Sequence, residues 1–514
     1  MARDSVSTLR DFALREVALS PAPSAGAHDL VFRRGRLVRV TLCERQPAAQ
    51  PRLYASPGFW DGHLHLLHVG LARQRLDLSA TASLEEALSA LEAFARKRGE
   101  QSILWAEGWD ESCWPEGRVP TAAEIDRVVP DRPVVLRRVC GHLAVLNTRA
   151  LAGAAVRWPD LDPAGRLVEE RAMGLSALWP PSPAEREEAL REAQREALSL
   201  GISRISEMGS QGAVDAYLGL LKREELDLDV ALHFQPSQFD LAARLQADGW
   251  LTRGRLTLGG IKIFTDGSVG ARTAALREPY ADGAGRGTLL YDDAELASLL
   301  ARCVEAGFPA VIHAIGDAAI DQVLTQAGRV VADLGRPPRG WASIEHAELL
   351  TDAQLETVAR LGVRLGLQPN FVARWGQPGG LYEQALGRER WQRMNPLRKI
   401  WEAGVPLLFG SDGMPMDPGL GLRGAVQHPM PEARLTVQQA LAAYRGDRSE
   451  GALEWGPDPP WRLGSEHVVL FAGDPAEWAA GERGRAHVRG VLSRGRWVVP
   501  PDPDLFREGV IHED

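Results

Sequence analysis

Four short stretches of this sequence end in residue types that bind metals. Phe59-Trp60-Asp61-Gly62-His63-Leu64-His65 sets two histidines one residue apart. On a strand, alternate side chains share a face, so His63 and His65 point the same way and can chelate one divalent cation. Val311-Ile312-His313, Ser343-Ile344-Glu345-His346 and Leu408-Phe409-Gly410-Ser411-Asp412 each place a His or an Asp just after an apolar run. Taken singly, each reads equally well as a polar residue at a strand end. Four strands delivering imidazoles and a carboxylate to one place do not read as packing.

Lys262 adds a different chemistry. It lies within Ile261-Lys262-Ile263-Phe264, a run apolar enough to be buried. The chain holds 59 Lys and Arg, yet its only lysines are Lys97, Lys222, Lys262 and Lys399. Where a bare positive charge suffices, this chain uses arginine, so a lysine in a buried run calls for a chemical reason. Two readings stand. A buried ammonium needs a partner, such as Asp266. Alternatively the amine has taken up CO2 as a carbamate, a bidentate anion able to bridge two metals, which arginine cannot form.

The elements that carry these residues alternate. Leu256–Phe264, Pro309–Ile312, Trp341–Ile344, Val363–Leu367 and Val405–Phe409 read as strands. Asp292–Ala306, Ala318–Leu334, Thr351–Leu361 and Pro396–Ala403 read as the helices between them. Strands that are apolar throughout and separated by helices mean a parallel sheet covered on both faces. Five such units, with more upstream, favour a closed (β/α)8 barrel, whose C-terminal strand ends converge where active sites sit. Upstream, Phe59–His65, Ser102–Ala106, Val134–Val139, Gly201–Ser206 and Asp229–Phe234 are further strand candidates, with helices at Ser83–Arg98 and Pro183–Leu200. That exceeds eight strands, so an inserted α/β subdomain is expected at about residues 76–200. Short strand-like pieces at 28–55 and 462–500, without helices, suit one small β domain built from both ends. The expected division is 1–56 and 459–514 for that domain and 57–458 for the barrel with its insertion.

Composition narrows the class. With 514 residues, 45% hydrophobic and 25% charged, the chain is long enough for more than one core and ordinary for a soluble protein. A net charge of −9 with no basic block argues against nucleic-acid binding. The first twenty residues are broken by charges and show no signal peptide, and no uncharged stretch is long enough to span a bilayer. The cysteines, Cys43, Cys113, Cys140 and Cys303, form no C-x-x-C pair, which suits a cytoplasmic location.

Pro57-Gly58-Phe59-Trp60-Asp61-Gly62-His63-Leu64-His65 resembles the opening metal motif of the amidohydrolase superfamily. Further stretches resemble its branch called amidohydrolase family 3, whose members include N-substituted formamide deformylases. These are Gly108-Trp109-Asp110 with Trp114, Gly141-His142-Leu143-Ala144-Val145-Leu146-Asn147, and Lys262-Ile263-Phe264-Thr265-Asp266-Gly267-Ser268 continuing to Pro279-Tyr280. His313-Ala314-Ile315-Gly316-Asp317, Glu345-His346-Ala347-Glu348 and Gly410-Ser411-Asp412 follow in the expected order. The resemblance implies a distorted TIM barrel with a β-sandwich made from both chain ends. It implies His63, His65, His313 and His346 as ligands of one or two divalent ions, most naturally zinc. It implies Lys262 as a carboxylated bridge and Asp412 as ligand and proton shuttle, with His142 and His346 steadying an oxyanion.

The implied reaction is hydrolysis of an amide-like, non-peptide C–N bond of a small molecule. A deaminase on the same site would pair His313 with a glutamate three residues on, where this chain has Gly316 and then Asp317. A lactone or ester hydrolase, or a barrel that binds metal without turnover, would use the same residues. The expected partners are a small-molecule substrate and, as the one protein partner entertained, a second copy of the chain, but no membrane or nucleic acid.

Three stretches depart from the family pattern. Arg34 stands where an Asp is usual in a Gly-turn near the N-terminus, Gly464-Ser465-Glu466-His467-Val468 replaces a Gly-Lys-x-Ala-Asp segment, and Arg445-Gly446-Asp447 replaces Thr-x-Asn. Gly419-Leu420-Gly421-Leu422-Arg423-Gly424 matches a dinucleotide fingerprint but follows a Pro-rich loop, not a strand. His28, His467, His487 and His512 are expected at the surface, and His233 as a capped or substrate-side residue. Trp105, Trp109 and Trp114 read either as pocket lining or as core.

Overall fold

The computed structural model describes residues 11–20, 27–34, 36–43, 53–98, 103–138, 143–168, 171–172, 174–210, 212–251, 254–335, 340–446, 466–481 and 487–501. His142 and His512 lie outside the described residues. The chain forms two compact units, one of Met1–Leu66 with Arg191–Asp514 and one of Leu67–Leu190.

The larger unit contains eight parallel strands. They are β1 (Phe59–Leu64), β2 (Ile202–Glu207), β3 (Asp229–Phe234), β4 (Leu256–Phe264), β5 (Ala310–Ala314), β6 (Ala342–His346), β7 (Arg364–Leu367) and β8 (Leu407–Phe409). Each pairs with the next in chain order, as expected of a TIM-like barrel. Helix bounds follow capping chemistry. Asp292 and Glu295 form a reciprocal cap that opens the helix Asp293–Ala306, and Gly307, in the left-handed region, ends it. Thr351 with Gln354 and Gly362 do the same for Asp352–Leu361.

From β8 to β1 the barrel closes by a few specific bonds. Asp412 N donates to His63 O at 2.7 Å. The Asp61 carboxylate accepts from Ser411 N at 2.9 Å and Ser411 Oγ at 2.5 Å. The approach needs glycine on both strands. A Cβ on Gly410 would lie 2.4 Å from His63 N, and one on Gly62 would lie 2.3 Å from Leu408 Cγ.

Both chain ends build one seven-stranded mixed sheet in the same unit. Its order is Arg496–Val499, Val488–Ser493, His467–Phe471, Tyr54–Ser56, Asp11–Leu19, Ala27–Arg33, Arg36–Leu42. Leu30, Phe32, Leu37, Val468, Leu470 and Leu492 form its core. The strand Asp11–Leu19 was not foreseen, because charged residues interrupt its sequence. Nor are His28 and His467 surface residues: they are 4% and 7% exposed. His467 Nε2 lies 2.9 Å from Asp229 Oδ2 at the start of β3, which draws the ring inward. His487 is exposed as expected.

The Leu67–Leu190 unit absorbs the surplus strands. Arg166–Val168, Leu143–Leu146, Val134–Arg138, Leu104–Trp109 and Leu76–Asp77 form a five-stranded sheet in that order. Trp109 and Trp114 stack with centroids 5.7 Å apart inside its core, so packing accounts for both. Trp105 receives the guanidinium groups of Arg75 and Arg137, each 5.1 Å from its ring. No helix among the described residues is long and apolar enough to cross a membrane.

Candidate metal centre

His63, one of the last residues of β1, is held by a carboxylate from across the barrel. Its Nδ1 lies 2.7 Å from Glu345 Oε2 on β6, and Ser343 Oγ donates to Glu345 Oε1 at 2.8 Å. With Nδ1–H donating to that oxygen, Nε2 keeps its lone pair for a cation. That Nε2 is 3.8 Å from Asp412 Oδ1. His65 follows at the strand end, its Nε2 3.5 Å from the same oxygen. Its Nδ1 sits 3.2 Å from Ser210 Oγ, which donates to Glu207 Oε1 at 2.5 Å. Each ring is thus oriented by a carboxylate, directly or through a hydroxyl, as metal-binding histidines commonly are.

His346 and Asp412 reach the same point from β6 and just beyond β8. Both adopt positive φ, 71° and 57°, as does Ala347 at 46°. Left-handed backbone at residues with a Cβ is strained and gathers at functional sites. The ligand atoms of His63, His346 and Asp412 lie within 4.8 Å of one another. His313 on β5 joins through its ring, 4.4 Å from that of His346. Its Nε2, however, faces Gly267 O at 3.0 Å and Asp266 Oδ1 at 3.5 Å.

Lys262 is fully buried, and its Nζ has no hydrogen-bond partner. The proposed ion pair with Asp266 does not form. Asp266 instead accepts from the backbone N–H groups of Ala275, Ile315 and Gly316 at 2.9, 3.1 and 2.9 Å. Those three donors turn the carboxylate toward the backbone, and the ammonium faces the Phe264 ring, 4.8 Å away.

The electrostatics follow from burial. Desolvation, then the Lys262 ammonium, drives His63 well below the ordinary imidazole range. Burial, then neighbouring imidazoles, does the same to His346. Burial and Lys262 bring His313 to about 4. Burial lowers Lys262 to about 8 against the pull of Glu345 and Asp412, and raises Asp412 to about 7 against Lys262. Neutral imidazoles are the form that ligates metal. His346 Nδ1, like Lys262 Nζ, is buried without a partner. Orphaned nitrogens among converging N and O donors suit a divalent cation.

The sequence reading did not assign Glu345, Ser210 or Glu207. Strand alternation could have found Glu345, since Ser343 and Glu345 lie one pleat apart on the inward face of β6. Ser210 lies beyond β2 and carried no such signal. His233 is capped, its Nδ1 2.9 Å from Glu207 O. The glycine triplet lies in the helix Pro418–Val426 and serves packing: a Cβ on Gly424 would sit 1.9 Å from Pro369 O.

The model of the amidohydrolase family matches residues 53–450. The Bacillus subtilis protein YtcJ, named as an amidohydrolase, is 31% identical over 398 residues, covering 72% of each chain. An N-substituted formamide deformylase of Arthrobacter pascens is 26% identical, over 85% of this chain and 87% of its own. An uncharacterized metal-dependent hydrolase from Pyrococcus furiosus superposes with a TM-score of 0.76 at 26% identity, over 91% of this chain and all of that one.

Proposed function

This chain belongs to the amidohydrolase family as a metal-dependent hydrolase, and we propose that it cleaves an amide-like C–N bond of a small molecule. One observation carries the reading most directly: the Asp412 carboxylate stands 3.8 and 3.5 Å from the Nε2 atoms of His63 and His65. His63, His65, His346 and Asp412 would hold a cation, and His313 would join them by leaving the Gly267 carbonyl. Imidazole with carboxylate suits zinc. The cation, when bound, supplies Lewis acidity that polarises a carbonyl and acidifies water. The unpartnered Lys262 Nζ supports its conversion to a carbamate, which would supply anionic oxygens as ligands for a second ion.

Asp412 takes the proton of the attacking water and returns it to the leaving nitrogen. Without the cation, burial raises its carboxyl; a bound cation would lower it and keep it ready to accept the proton. His346 sits beside Asp412 to steady the developing oxyanion, and His142 keeps that same role from the family resemblance. Amide hydrolysis is preferred to deamination because the acid beyond β5, Asp317, opens a helix and accepts from Arg277 N at 2.9 Å.

Elemental analysis of the purified protein, followed by a screen of N-formyl and N-acyl amines, imides and lactones, tests this. Bound zinc with turnover of amides is expected. Bound metal without turnover of any of them would favour a binding role.

A further inference from the structure

The interior of a (β/α)8 barrel is ordinarily filled by layers of bulky side chains. Here the end opposite the metal-binding residues holds a chamber of about 250 Å³, walled in part by Thr257, Gly259, Gly340, Ser343 and Gly366. Its lining is polar and apolar in nearly equal parts, and a space of that size has room for several water molecules beside the polar groups.

Two charged groups face this chamber, Glu345 and Arg364. Arg364 opens β7 and pairs in register with Ser343, while Gly366 pairs with Glu345. Residues two apart on a strand share a face, so Arg364 lies on the inward face, one layer beneath Glu345. Its Nε is buried without a hydrogen-bond partner. Gly366 leaves the room that the carboxylate occupies, since a Cβ there would lie 2.1 Å from Glu345 Oε2. Above, that same oxygen holds His63 Nδ1 at 2.7 Å.

A buried guanidinium is costly, and an apolar side chain would pack the barrel better. Its charge is of the sign that attracts the carboxylate on the same wall of the chamber. We propose that Arg364 is a positioning residue: from beneath the barrel's core it fixes Glu345 as the acceptor that orients His63 toward the cation. This rests on the metal reading given above.

The test is zinc affinity of the full-length apoprotein, measured by competition with a chromophoric chelator, with circular dichroism as the check on folding. Arg364→Met should fold and bind zinc about 10-fold more weakly. Arg364→Lys, which restores the charge, should recover most of that loss. Wild-type affinity in Arg364→Met, or equal loss in Met and Lys, overturns the proposal. A filler role would lower the melting temperature and leave zinc affinity unchanged. Should the Met variant not fold, Arg364→Gln is read against the same outcomes. A wild-type protein that binds no zinc would sink the metal reading instead.

Discussion

The larger unit concentrates charge in two places, and it treats them in opposite ways. Where the terminal sheet meets the barrel, ions are paired. Asp229 accepts from Arg494 Nη2 at 2.8 Å and faces His467 Nε2 at 2.9 Å, while Glu466 pairs with Arg36 at 2.8 Å and with Arg494 at 3.1 Å. Asp227 bonds Arg496 beside them. At the barrel's other charged cluster, Lys262 Nζ, His346 Nδ1 and Glu348 Oε2 are buried with no partner at all. In the first cluster every carboxylate meets a guanidinium or imidazole, and only His467 Nδ1 is left buried without a partner. The first cluster joins the terminal sheet to the barrel, and the second gathers the candidate metal ligands.

The sharpest way to break this contrast is to remove the first pair of imidazoles. A His63→Asn/His65→Asn double variant should fold and hold no metal by elemental analysis. Full metal occupancy in it would reduce the cluster to packing. Next comes Lys262. Lys262→Arg keeps the charge but cannot form a carbamate, and should lose metal. Lys262→Ala should regain part of its metal and turnover in acetate or formate. The apoprotein of Lys262→Met should melt no lower than wild type, because the variant deletes a buried cation that has no partner. Metal retained in Lys262→Arg would require a mechanism without the carbamate.

Asp412→Asn sharpens the contrast within the cluster. It keeps an oxygen near both histidines yet cannot take a proton, so turnover should fall by at least ~10²-fold while some metal stays bound. Wild-type turnover would remove Asp412 from proton transfer. The smallest effect belongs to the paired cluster. Asp229→Asn should lower stability by about 2 kcal/mol, read by chemical denaturation, and leave zinc affinity alone. Burial alone would raise the Asp229 carboxyl, but bonds from His467 and Arg494 outweigh it and hold the group well below the ordinary carboxylate range. Its contribution is therefore complete above the unfolded pKa of about 3.9 and is lost as pH falls toward the lower folded value. The stability gap between wild type and Asp229→Asn should shrink below about pH 4; a gap that widens on acidification would contradict the pairing.

The unpaired cluster was legible in the sequence because its parts are local. Each candidate ligand follows its own apolar run, and strand periodicity alone brings the ends of such runs together. The paired cluster was not legible. His467 and Asp229 are 238 residues apart, and nothing near either one names the other. The sequence accordingly offered no reason for the departures at Arg34, Glu466-His467 and Arg445. In place, Glu466 and His467 belong to the ion network, and Arg445 Nη2 binds Ser20 O at 2.9 Å and Ser56 Oγ at 2.8 Å. Arg34 takes φ 48° in the turn between two strands. Lys262 marks the limit of local reading: the sequence showed that it would be buried, but only three-dimensional placement shows that Asp266 is spoken for.

The glycine-lined join between β1 and β8 bears on how the molecule comes into being. Asp61 and Ser411, which it ties together, are 350 residues apart. Contacts of such separation form late, because a long loop must close before they return any free energy. His63 and Asp412 flank that join, so the metal site cannot exist on a half-made chain. During synthesis the early histidines wait through every later strand before their carboxylate appears. Once the ring shuts, an ion held by His63 and Asp412 would join its first and last strands, stabilising the closed form by mass action and slowing the step by which the barrel would open.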